Sequence, residues 1–119
     1  MKMLVSKRMS FDAAHFLPSY PGKCANMHGH HWMVELGVSG EVDPNTGMVI
    51  DFAILGGLLG TLKNKLDHTL LNDTVPNPTA ENICLYVKAW EADTLADEGL
   101  EVEFIRVWET PDSLAELKL

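Results

Sequence analysis

Three histidines and a cysteine fall within sixteen residues: His15, Cys24, His28 and His30. Imidazole is the commonest metal ligand in proteins, and zinc takes it readily. His28 and His30 lie two apart in the run Cys24-Ala25-Asn26-Met27-His28-Gly29-His30. On an extended backbone both therefore point to the same side. His15 follows a strand-like opening segment and is placed to add a third ligand from a neighbouring strand end. Three imidazoles leave one tetrahedral position open, the arrangement of a catalytic zinc centre. The competing reading is a set of core or surface histidines satisfied by hydrogen bonds. The pair around Gly29, with a third histidine close by, favours metal. His31 points to the opposite face from His28 and His30 and is left out of the ligand set.

Other residues carry open alternatives. Cys24 suits a fourth zinc ligand in a closed structural site, an inert loop residue, or a base or nucleophile whose thiolate is favoured by Lys23 and a nearby metal. Cys84 lies on an apolar helix stripe and reads as core. Asp67-His68 is either a cation near a helix C-terminus or a carboxylate orienting a general acid/base imidazole. Glu109 closes a strand; it is either simply exposed or able to bind a ring that offers paired N–H donors.

Several elements must position these groups. Residues 3–11 read as a strand, with Val5, Met9 and Phe11 on one face and Arg8, Ser10 and Asp12 on the other. Residues 17–24, with Pro18, Pro21 and Gly22, read as a loop. Residues 32–42 alternate, with Trp32, Val34, Leu36 and Val38 facing one way. The turn at 43–47 predicts that residues 48–50 return as a hairpin partner. Asp51 caps a helix running to about Leu66, with Phe52, Leu55, Leu59, Leu62 and Leu66 as its stripe. A second helix runs from near Thr79 to about Ala96, with Ala80, Ile83, Cys84, Val87 and Trp90 facing the core. A strand over 101–109 follows, then a short one over 114–119. An α+β fold results: an antiparallel sheet with helices on one face.

The 119 residues suit a single domain, 1–119, around one core. A net charge of −8 disfavours a nucleic-acid surface, which depends on clustered Lys and Arg. Lys2, Lys7 and Arg8 interrupt the opening segment, so no signal peptide is expected. The longest apolar run, residues 52–59, falls far short of the roughly 20 residues of a membrane span. Two cysteines in unlike settings suggest no disulfide framework, and a cytoplasmic location is expected.

In order, Phe11-Asp12-Ala13-Ala14-His15, Cys24-x3-His28-Gly29-His30, the run from Gly40 to Phe52, Leu66-Asp67-His68, Asn77-Pro78-Thr79-Ala80-Glu81-Asn82 and Trp108-Glu109-Thr110 span almost the whole chain. Together they resemble the 6-pyruvoyl-tetrahydropterin synthase / 6-carboxy-tetrahydropterin synthase family. The resemblance implies a tunnelling (T-) fold with a four-stranded antiparallel sheet and two helices on one side. It implies assembly as trimers that stack into a homohexamer, with active sites between subunits. Carried over by position, it makes His15, His28 and His30 the zinc ligands and Cys24 the proton acceptor. Asp67 and His68 become a proton relay, Glu109 the pterin anchor, and Thr79 and Glu81 parts of the pterin pocket.

The implied reaction is a zinc-dependent lyase step on 7,8-dihydroneopterin triphosphate. In the carboxy branch the side chain is cleaved and acetaldehyde released, giving 6-carboxy-5,6,7,8-tetrahydropterin for queuosine-type biosynthesis. In the pyruvoyl branch the three-carbon chain is kept. The Cys-x3-His spacing resembles the carboxy enzymes, and Cys24 argues against a third subgroup that carries glutamate there. His31 departs from the small polar residue usual after His-Gly-His. Lys23, Lys7 and Arg8 are candidates for the triphosphate. The rival from another class is a non-catalytic, zinc-stabilised binding module with Cys24 as fourth ligand. A further rival is a T-fold pterin or purine binder with altered chemistry.

Overall fold

The computed structural model describes residues 1–95 and 98–119. Four strands form one antiparallel sheet in sequential order: β1 (Lys2–His15), β2 (His28–Glu41), β3 (Glu101–Thr110) and β4 (Ser113–Lys118). Two helices, α1 (Phe52–Leu66) and α2 (Ala80–Thr94), lie between β2 and β3 in sequence. Alternation along β2 sorts its residues: Trp32, Val34, Leu36 and Val38 are fully buried among the core residues. Facing them are Leu55, Leu59, Leu62 and Leu66 of α1 and Ile83, Cys84, Val87 and Trp90 of α2. Each such apolar side chain contributes about 1.5–3 kcal/mol by leaving water.

Both helices start where an oxygen-bearing side chain can take a free N–H. Asp51 accepts from the Ala53 amide at 2.8 Å, and Thr79 accepts from the Asn82 amide at 3.1 Å. Phe52 leaves the expected stripe: it is 53% exposed, with the Lys7 ammonium 6.0 Å from its ring centre. It sits in the first turn of α1, at the edge of a groove that Met3 and Val5 of β1 also line. The second helix ends at Thr94; Ala96, its expected end, lies outside the described residues.

The expected strand at 48–50 does not form. Its turn does, with Gly47 N–H bonded to the Asp43 carbonyl and Asp43 N–H to the Met48 carbonyl. The pairing fails because β2 is already hydrogen-bonded to β1 on one edge and β3 on the other. The true hairpin is β1–β2, in register from Lys2↔Glu41 to His15↔His28. Both strands are longer than their apolar alternation suggests, and the added length holds the histidines.

Among the described residues no helix covers the other face of the sheet, which carries a polar ladder. Glu35, largely buried, accepts from Ser6 at 2.9 Å and Arg106 at 3.1 Å. The Arg106 guanidinium stacks over Phe104 at 4.0 Å. Gly37 lies under that ring, where an added Cβ would come within 2.1 Å of it.

Candidate functional site

The register that builds the core also carries the histidines to one place. Phe11↔Trp32, Ala13↔His30 and His15↔His28 are successive pairs on the helix-facing side. His15, His28, His30 and Glu109 bring one ligand atom each to within 4.8 Å of one another. Among the described residues Cys24 is not part of that group. His15 is fully buried, and Trp32 packs edge-on against its ring at 4.9 Å and against His30 at 5.6 Å.

Hydrogen bonds orient two of the rings. His15 Nδ1 lies 2.8 Å from the Pro78 carbonyl, and His28 Nδ1 lies 2.7 Å from the Asn26 carbonyl. A carbonyl only accepts, so each Nδ1 donates its proton there and Nε2 is the ring atom left free to ligate. These Nε2 atoms face each other at 3.1 Å. Two ring nitrogens this close share either a proton or a metal ion. The donor set therefore fits a metal ion, and three imidazoles with a carboxylate suit zinc. Burial lowers the pKa of His30, which favours its neutral, ligating form; the Glu109 carboxylate opposes this, and His15 and His28 add to it.

Glu109 stands where the sequence left an open position. Its Oε1 is 3.1 Å from His15 Nε2 and 3.5 Å from His30 Nε2. It also lines an opening of about 400 Å³ together with Glu81 and Ser113. The Thr79 hydroxyl is committed to the α2 cap.

Asp67 caps the C-terminus of α1 and His68 turns the chain. Asp67 Oδ1 accepts from the Asp12 amide at 2.9 Å, and its Oδ2 lies 2.9 Å from His68 Nδ1. The Asp12 amide and then the His68 contact hold this carboxyl below its ordinary pKa. His68 has φ +57°, alone among described non-glycine residues in the left-handed region. Its amide donates to the Asp12 carbonyl at 2.7 Å, which offsets a conformation costing about 1–3 kcal/mol. The His68 side chain is 79% exposed. It shares an open cleft of about 540 Å³ with His30, His31, Gly29 and Asp12. His31 bonds Asp12 across the strands at 2.6 Å and stays out of the ligand group.

Cys24 lies half-buried in a short 3₁₀ turn, Lys23–Ala25, its carbonyl accepting from Leu17 at 2.7 Å. Cys84 is core, its thiol pushed up to about 11 by burial. Lys7 packs against Gly56 and Arg8 stacks on Trp108 at 5.1 Å, and neither lines the cleft.

Residues 4–119 match the family described as 6-pyruvoyl tetrahydropterin synthase. The chain belongs to this family. A Synechocystis 6-carboxy-5,6,7,8-tetrahydropterin synthase is 38% identical to it, over 94% of this chain and 90% of that protein. An Archaeoglobus fulgidus protein provisionally given the same name is 42% identical over 98% and 96%. The dihydroneopterin monophosphate aldolase of Pyrococcus furiosus is 32% identical over 99% of both. The structure of Caenorhabditis elegans 6-pyruvoyl tetrahydropterin synthase superposes with a TM-score of 0.89 at 26% identity, covering 100% and 96%. The sheet with two helices on one face is the T-fold of the pterin synthases.

Two parts of this synthase site escape the sequence. The carbonyls of Pro78 and Asn26 fix ring orientation, and backbone acceptors leave no side-chain signature. Glu109 marks its strand end, but its approach to the histidines depends on how β3 is registered against β2.

Proposed function

We propose that this chain is a zinc-dependent 6-carboxy-5,6,7,8-tetrahydropterin synthase, a lyase acting on 7,8-dihydroneopterin triphosphate with release of acetaldehyde and triphosphate. The observation that carries this reading is the facing pair of Nε2 atoms of His15 and His28, beside His30 and within a pterin-synthase fold. His15, His28 and His30 would hold the zinc, which would supply Lewis acidity at the substrate side chain. Cys24, as thiolate, takes the neighbouring C–H proton. His68, oriented by Asp67, carries the hydroxyl proton. Glu109 accepts the N–H donors of the pterin ring, and Thr79 and Glu81 shape that pocket. The position of Cys24 outside the ligand group supports a base over a fourth ligand. The single pterin-synthase domain, 1–119, works as a trimer or stacked trimers in the cytoplasm and serves queuosine-type synthesis. The outer edge of β1 over residues 2–11 and that of β4 offer the strand edges for assembly. No described helix is long and apolar enough to cross a membrane.

A second reading is favoured by the end-to-end match to the Pyrococcus aldolase: cleavage of dihydroneopterin monophosphate. One experiment separates the readings. The zinc-loaded chain is mixed with each phosphorylated dihydroneopterin and the products identified by mass spectrometry. Acetaldehyde with the carboxypterin establishes the proposal. Triphosphate release without acetaldehyde moves the chain to the pyruvoyl branch. Turnover of the monophosphate alone makes it the aldolase. Zinc binding without turnover of either leaves a binding module.

A further inference from the structure

We propose that Asn72 is a positioning residue that locks the strand exit behind His15, and through it the alignment of the metal ligands and the root of the Cys24 loop. The inference rests on the reading that the histidine group holds a metal. After α1 the chain runs alongside the outer edge of β1. The Asp67 carboxylate takes the Asp12 amide, and the His68 amide reaches the Asp12 carbonyl. The Ala14 amide then donates to the Thr69 carbonyl at 3.1 Å, and Ala14 pairs with Leu70 in a parallel bridge. There the backbone pairing stops, because residues Leu71–Asp73 coil into a 3₁₀ turn.

The Asn72 carboxamide continues the ladder by one rung. Its Oδ1 accepts from the Phe16 amide at 3.0 Å and its Nδ2 donates to the Phe16 carbonyl at 2.8 Å. A carboxamide carries a donor and an acceptor in one plane, as a peptide does, so it substitutes for the missing strand. Phe16 directly follows His15, whose ring is held on its other side by the Pro78 carbonyl. The next bond along the loop joins Leu17 to Cys24. Asn72 thus ties the Asp67-His68 segment to the ligand strand and to the loop that carries Cys24. Without it, both half-buried polar groups of Phe16 lose their partner, and the ligand at the strand end is left with the Pro78 carbonyl to hold its direction.

The test is made on the full chain, stripped with chelator and reloaded. Zinc affinity is measured by chelator competition, and the visible spectrum of the cobalt form reports coordination geometry. Asn72→Ala is expected to weaken zinc binding roughly 10- to 100-fold and to change the cobalt spectrum, the range for partners that orient metal ligands. Asn72→Asp keeps the acceptor for the Phe16 amide but sets a carboxylate oxygen against the Phe16 carbonyl, and a weakening is again expected. A folded Asn72→Ala with wild-type zinc affinity and cobalt spectrum overturns the proposal, even with a lowered melting temperature, since a purely structural role gives that result. If Asn72→Ala does not fold, unchanged affinity and spectrum in Asn72→Asp overturn it. A wild-type chain that binds zinc but converts no pterin sinks the synthase reading alone and leaves these metal readouts standing.

Discussion

The helix-facing side of the sheet holds two regions built on one alternation. In the middle of β2, Trp32, Val34, Leu36 and Val38 are fully buried and apolar. One pleat towards the strand start, the same face carries His30 and then His28, with His15 opposite. The site is thus the end of the core layer rather than a feature added on loops. The pleat that buries Leu36 also aims the imidazoles. The two regions differ in what burial demands. The apolar middle gains free energy simply by leaving water. The buried end carries polar atoms, each needing a partner, and His15 finds one in the Pro78 carbonyl.

The largest expected effect breaks the histidine end alone. His15→Ala should reduce zinc to substoichiometric levels by atomic absorption and bring pterin turnover to background. Retained zinc at full occupancy would show that the centre does not need this ligand. Leu36→Ala is the counterpart in the middle. It should cost about 2–5 kcal/mol in urea unfolding. Zinc affinity of the folded protein should stay at the wild-type value; a large loss of affinity would mean that core and site are not separable. Glu109→Gln sharpens the boundary between ligand and substrate contact. If Glu109 anchors the pterin, kcat/KM should fall about 10- to 150-fold, the loss of a charged hydrogen bond of roughly 1.5–3 kcal/mol. Zinc affinity should hardly change. A parallel collapse of zinc affinity would make Glu109 a resident ligand, as its 3.1 Å approach to His15 permits.

Legibility in the sequence follows the same division. Period-two alternation made β2 readable, and side-chain parity separated His28 and His30 from His31 before any coordinates. The helix caps at Asp51 and Thr79 were readable because capping is local chemistry. The strand expected at 48–50 was misread because its turn is genuine, while the free edge it needs is taken by β1 and β3. That is a property of the whole sheet. Pro78 and Asn26 act through carbonyls that every residue possesses. Asn72 is an ordinary polar residue until Phe16 is brought beside it, 56 positions away.

The smallest expected effect concerns the rim of the histidine end. The Asp67 carboxyl is held below its ordinary pKa by the Asp12 amide and then by His68. A folded pKa below the unfolded one means that the carboxylate's contribution to stability is fully present above about pH 4. It is lost as pH falls through the folded value. Asp67→Asn can still accept from the Asp12 amide but does not titrate. In metal-free protein, the melting-temperature deficit of this variant should be present at about pH 5 and shrink below about pH 4. Leu36→Ala, with no charge involved, should show a deficit without that step. A flat Asp67→Asn deficit down to pH 3 would mean that the ionised carboxylate adds nothing to the join between α1 and β1.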